Sequence, residues 1–205
     1  ALPELVDRPE EEFVVLAKSR DSLRLVTTDD PDLLCAELEA CLEEYQDEPR
    51  QLSPVPYQVR DGTLAAWDPP RDHPCRPIVD LAQYVLAGTE YRHQQNVLQE
   101  LFENTGENVF VATYSLVESD DQSAWSFSVW ERSVTAALHP RTDFVVVGDL
   151  STGEHIRVSW ADLLDVTGDA FAQEPGYYPP LWRVNGALSD ATLAALRRVA
   201  VAEPS

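Results

Sequence analysis

Two hundred and five residues, 44% hydrophobic and 25% charged, suffice for one large domain or a domain with a smaller appendage, and they exclude disorder over most of the chain. A body of this size buries roughly 70% of the surface its unfolded form exposes, so its core needs neither disulfide nor metal for support. Thirty-six acidic residues against fifteen basic ones leave a net charge of −21, a field that repels phosphate backbones and anionic membranes and excludes both as direct partners.

Residues 1–12 carry Glu4, Asp7, Glu10, Glu11 and Glu12 and read as an acidic lead-in. The apolar runs 13–18 and 23–28 predict two strands joined across Ser19-Arg20-Asp21-Ser22. Asp30 before Pro31 marks a helix start, with the carboxylate capping and proline at the first position. Leu34, Leu38, Cys41, Leu42 and Tyr45 then recur at helical spacing through 31–46. Prolines crowd the stretch from Asp47 to Pro77 and forbid long helices there, while 57–60 and 63–67 flank an Asp61-Gly62 hairpin turn. A boundary near 70–77 is expected, separating an N-terminal α/β subdomain, 1–76, from a C-terminal α+β subdomain, 77–205, within one compact unit.

Two helices are predicted next. The first, 77–87, is mostly apolar; the second, 89–104, opens at Thr89, carries a stripe of Gln94, Val97, Leu98, Leu101 and Phe102, and ends before Gly106. From 108 to 158 the pattern turns to strands. Val109–Val117 is rich in β-branched and aromatic residues, and Trp125, Phe127 and Val129 alternate with Ser126, Ser128 and Trp130. Runs at 134–138, 144–147 and 155–158 follow, with turns at His139-Pro140 and Ser151-Thr152-Gly153. Short connections predict an antiparallel meander over 108–158. Ser159 and Asp162 form a capping box, with Val158 and Leu163 at staple positions and Gly168 at the helix end. A loop spans 169–180, a last strand 181–184, and Ser189 caps a final helix whose Arg197 and Arg198 sit at its negative end. The expected class is α+β, an antiparallel sheet with helices packed mainly on one face.

Cys35, Cys41 and Cys75 are an odd set. Cys35 and Cys41 fall about 120° apart around the predicted helix and cannot pair with each other. All three are expected as reduced, partly buried thiols. The first residues lack the basic and apolar regions of a signal peptide and the chain has no Met, so trimming before Ala1 and a cytoplasmic address are expected.

No phosphate-binding glycine loop, dinucleotide fingerprint, H-E-x-x-H, G-x-S-x-G or kinase motif is present. His73-Pro74-Cys75 lacks the second cysteine of a zinc deaminase signature, and Asp29, Asp30 and Asp32 lack the spacing of a calcium loop, so no metal site and no cofactor are expected. His139, Arg141, Asp143 and His155, from neighbouring predicted strand ends, are the catalytic candidates, since acid–base work needs such groups within hydrogen-bond reach. Glu118, Asp120 and Asp121 at a predicted hairpin tip, together with Trp130, Tyr177, Tyr178 and Trp182, are the partner-binding candidates, because amphipathic aromatics on strands and proline-fixed loops suit interfaces.

These features favour a non-enzymatic module that captures a basic protein, in the manner of an inhibitor, an immunity-type factor or a chaperone. A hydrolase using carboxylates and His139, with or without a divalent ion, is one alternative. A DNA mimic, with Glu37, Glu39, Glu43, Glu44, Asp47 and Glu48 as its charge row, is another.

Overall fold

A computed structural model describes residues 13–47, 52–60, 62–119, 123–149 and 152–202. The acidic lead-in, Glu48, Asp61 of the expected hairpin turn and Ser151 lie outside the described residues. Packing divides the chain into two units: the first runs to Leu86 and takes in a short piece ending at Ala124, and the second holds Ala87–Ser119 and Trp125 onward.

In the first unit, β1 (Phe13–Ser19), β2 (Ser22–Thr27), β3 (Pro56–Arg60) and β4 (Thr63–Ala66) form an antiparallel sheet in the order β2-β1-β3-β4. Helix α1 (Pro31–Asp47) starts as the sequence demands, with Asp30 Oδ1 accepting the Leu33 amide at 3.1 Å. Its apolar stripe packs Leu34, Leu38 and Cys41 onto Val14, Leu16 and Val26 of the sheet and onto Trp67, Cys75 and Val79. Burying a leucine side chain of this kind stabilises by about 2 kcal/mol, so the three strand residues and the helix stripe hold this layer together.

The cysteines correct the expectation of free thiols. Cys35 and Cys75 are disulfide-bonded, with Cα atoms 5.1 Å apart and 40 residues between them in sequence, while Cys41 is free and buried. Cys35 and Cys41 do point apart on α1. The partner is Cys75, brought to α1 by the turns before the next helix.

That next helix corrects a second expectation. Instead of two helices broken at Gly88-Thr89, α2 runs unbroken from Arg76 to Thr105. A glycine lowers helix propensity without ending the helix when its neighbours are Leu, Ala, Glu and Tyr. The division between the two units falls inside this helix.

The second unit holds β5 (Phe110–Val111), β6 (Ser115–Glu118), β7 (Ala124–Glu131), β8 (Ala136–Pro140), β9 (Phe144–Asp149), β10 (Glu154–Ser159), α3 (Trp160–Thr167), β11 (Phe171–Glu174), β12 (Leu181–Asn185) and α4 (Asp190–Arg198). The α+β class is as expected and most strand pairs are antiparallel, but the strands of 108–158 do not run as one meander. They divide between two sheets, ordered β10-β9-β7-β6 and β11-β12-β8-β5. β8 leaves its sequence neighbours, so β7 and β9 pair in parallel, as do β5 and β8. His139-Pro140, expected as a turn, closes strand β8. The reason is visible in β8 itself: Ala137, Leu138, His139 and Pro140 are all buried, as in a strand covered on both faces.

Those two faces have different cores. Ala137 joins Trp130, Val145, Val147, Val158, Phe171, Trp182 and Val184 between the sheets, closed by Trp160 and Leu163 of α3 and Leu193 and Leu196 of α4. Leu138, one residue on, points the other way and meets Tyr91, Leu98 and Phe102 of α2 with Val111 and Leu181. Ser159 and Ser189 cap α3 and α4 by accepting the amides of Asp162 and Thr192.

Candidate functional site

The inner face of β7 carries polar groups into the second unit. Ser126 and Ser128 are buried beside Trp130, whereas Trp125, Phe127 and Val129 occupy the opposite, partly exposed face. The Asp143 carboxylate accepts from the Ser126 amide at 2.7 Å and from its hydroxyl at 2.8 Å. Beside them, burial pushes the Tyr114 phenol up to about 12; its hydrogen bond with Ser126 opposes that shift, and the charge of Asp143 adds to it. Tyr114 stacks on Tyr91 with ring centroids 5.4 Å apart.

Ser128 Oγ lies 3.3 Å from His139 Nδ1, a nucleophile–base spacing on paper. Both residues are fully shielded from solvent, and the imidazole sits 5.5 Å from the Phe171 ring and 6.1 Å from the Trp130 ring. Desolvation lowers the His139 pKa to about 3, so the ring stays neutral and cannot collect a proton near neutrality. A substrate has no access to it. Of the other catalytic candidates, Arg141 is exposed with its guanidinium 5.9 Å from the Trp160 ring, Asp143 is engaged by Ser126, and His155 is exposed on β10 opposite Gly148. No hydrogen bond or ion pair joins any two of the four.

The aromatic candidates divide in the same way. Trp130, 2% exposed, and Trp182 are core side chains instead of surface anchors, because each falls on the strand face turned towards the other sheet. Tyr177 is half-buried against the cluster of Tyr91, Leu98 and Leu138. Tyr178 alone of the four is open to solvent, at 91%. It sits at the tip of the β11–β12 hairpin, a loop fixed from outside: Gln94 Nε2 donates to the Pro179 carbonyl at 2.9 Å, and the Tyr91 hydroxyl donates to the Pro180 carbonyl at 3.0 Å. Glu118 is exposed at the end of β6, and Asp120 and Asp121 lie outside the described residues.

One feature had no sequence signal, and a second was read only in part. Arg157 is buried on β10, with its guanidinium carbon 5.3 Å from the Trp125 ring and 5.0 Å from the Phe144 ring. Ring faces, not carboxylates, hold this cation. On α2 the buried stripe is Tyr91, Leu98 and Phe102, which leaves Val97 and Leu101 of the expected stripe 53% and 48% exposed.

Among the described residues no group of three or more His, Cys, Asp or Glu side chains is placed to hold a metal ion, and no helix is long and apolar enough to cross a membrane. His73 accepts the Cys75 amide at Nδ1 and meets Trp67 edge-on. Of the carboxylates proposed as a charge row, Glu37 pairs with Arg24 and Glu44 with Lys18, while Glu39, Glu43 and Asp47 are exposed. The chain matches no protein-family model, no curated protein and no solved structure.

Proposed function

We propose that this chain is a non-enzymatic module that captures a basic protein partner. The observation that carries the proposal is the net charge of −21 combined with where the carboxylates stand: Asp32, Glu39, Glu43 and Asp47 line the exposed side of α1, opposite its buried leucines. Such a field raises the encounter rate of a cationic partner and rejects acidic ones. The burial of His139 removes the proton carrier on which the hydrolase alternative depended. Ion pairs of Glu37 with Arg24 and of Glu44 with Lys18 partly neutralise two members of the row that a DNA mimic would need.

The Cys35–Cys75 disulfide speaks against the reducing cytoplasm expected from the sequence and favours an oxidising compartment as the working environment. Affinity capture from source material under non-reducing conditions, with the full chain as bait, tests the proposal. The expected result is a basic protein that the purified chain binds again in isolation, with an affinity that falls as salt rises. Captured proteins that are acidic, or that the purified chain fails to bind, contradict it.

A further inference from the structure

We infer that the outer face of the β10-β9-β7 sheet binds a small monocarboxylate with an apolar body, its carboxylate seated on the Nε–Nη2 edge of Arg157. The inference goes beyond the basic-partner reading and does not depend on it.

Strand register places the residues of this site on one face. Val145 and Val147 point into the core between the sheets, so Phe144 and Val146 point the other way. Across the ladder Val146 stands opposite Val129 of β7 and Arg157 of β10, and Phe144 stands opposite Phe127. Trp125 shares the face, its ring 5.6 Å from that of Phe127 and 5.7 Å from that of Phe144. Val129 is exposed and Trp125, Phe127, Phe144 and Val146 are half-buried, so an apolar, aromatic surface reaches solvent around the arginine.

Arg157 is the residue this surface does not explain. It is 8% exposed, and the Trp125 and Phe144 rings lie against its guanidinium. Its Nε and Nη2 are buried without a hydrogen-bond partner. These two N–H groups lie on the same side of the guanidinium and form the fork that takes both oxygens of a carboxylate. Arg24, Arg76, Arg132, Arg183 and Arg197 each hold a carboxylate, yet among the described residues no carboxylate is bonded to this edge of Arg157. Asp143, next to Phe144 in sequence, turns its Oδ2 to the Ser126 amide and hydroxyl instead. A buried, charged edge without a partner is costly, and a bound carboxylate would satisfy it.

Charge and shape narrow the ligand. The next row of the ladder carries Glu131, whose carboxylate accepts the Ser133 amide, and His155. Every negative charge brought to the molecule works against its net −21, so a monoanion that gains apolar contact with Phe127 and Val129 is favoured over a polyanion such as phosphate. Both nitrogens are closed to solvent, so the ligand must displace a ring to reach them. Phe144 belongs to β9, which is flanked by β7 and β10, whereas Trp125 is half-exposed near the start of β7. Trp125 is therefore the ring that moves.

The probe is phenylacetate, titrated into the full chain by calorimetry and followed by tryptophan fluorescence. The other four tryptophans are buried, which makes displacement of Trp125 readable. Saturable binding with a fluorescence change is expected, with none for the neutral phenylacetamide and at least about tenfold weaker binding of inorganic phosphate. Arg157→Lys keeps the charge but loses the fork and should weaken binding about tenfold, and Arg157→Met should abolish it. An apolar side chain in place of an unpaired buried cation should leave the resistance to urea equal or higher, so that loss of binding is not loss of the fold. Should Arg157→Met unfold, Arg157→Lys and the amide comparison carry the test. Undiminished binding in the folded variants, or phenylacetamide bound as tightly as phenylacetate, overturns the site. Phosphate bound as tightly, or no saturable binding of phenylacetate up to about 10 mM, overturns it as well.

Discussion

Burial acts on His139 with nothing to offset it. The folded pKa, lowered to about 3, lies below the ordinary value of 6.5, so the unfolded chain binds the proton more tightly throughout that interval. The stabilisation is complete above about pH 6.5 and is lost as pH falls towards 3, by a few kcal/mol in total. Carboxylates titrate over the same range, so the comparison that isolates His139 is wild type against His139→Leu. The variant leaves the Ser128 hydroxyl without its imidazole partner and should cost about 1–3 kcal/mol at pH 7. It should also show a shallower fall in urea midpoint between pH 6.5 and 3. An unchanged slope would place His139 in contact with solvent. The sequence identified His139 as a residue to watch but could not reveal its surroundings, because the strand that carries it is buried on both faces only by virtue of its partners in two different layers.

At the scale of elements, the disulfide and α2 offer two further tests. Closing a loop of about 40 residues restricts the unfolded chain by about 4 kcal/mol in the chain-entropy account, so Cys35→Ser or reduction should lower the unfolding free energy by that order, read from urea unfolding. Native protein should give no reaction with a thiol reagent, since Cys41 is buried and burial pushes its pKa up, while denatured, unreduced protein should show a single reactive thiol. In α2, a Cβ placed on Gly88 would meet the Tyr114 ring at 3.5 Å, an ordinary contact. Gly88→Ala should therefore stabilise the chain by about 0.5–1 kcal/mol, measured by urea unfolding.

Local signals told well where local physics decides. Asp30-Pro31 opens α1, Ser159 and Ser189 cap their helices, and the alternation around Trp125 is a strand. They failed where the outcome depends on distant chain. Cys75 lies 40 residues from Cys35, with the β3–β4 hairpin between them, and β8 pairs with β12 some forty residues later. Tyr178 was legible as an aromatic on a proline-rich loop, but its exposure next to the half-buried Tyr177 depends on how that loop is held against α2. Val97 and Leu101 were assigned to a core stripe because their spacing is helical. Leu98 and Phe102 of that stripe are buried as expected, but the row they belong to continues to Tyr91, which leaves Val97 and Leu101 on its outer edge.

For the whole molecule, the dominant quantity is the charge of −21, and all of it was readable before any fold was known. Self-repulsion on this scale destabilises the folded chain and is screened by salt, so raising ionic strength from about 0.05 to 0.5 M should increase Tm. The same screening should act in the opposite direction on capture of a basic partner. The most direct test is the association rate of the purified pair as a function of ionic strength. We predict a rate that falls steeply with salt, with a far smaller change in dissociation, and a weaker dependence when Asp32, Glu39, Glu43 and Asp47 are replaced by their amides. A rate indifferent to salt, or one that rises with it, would contradict the account.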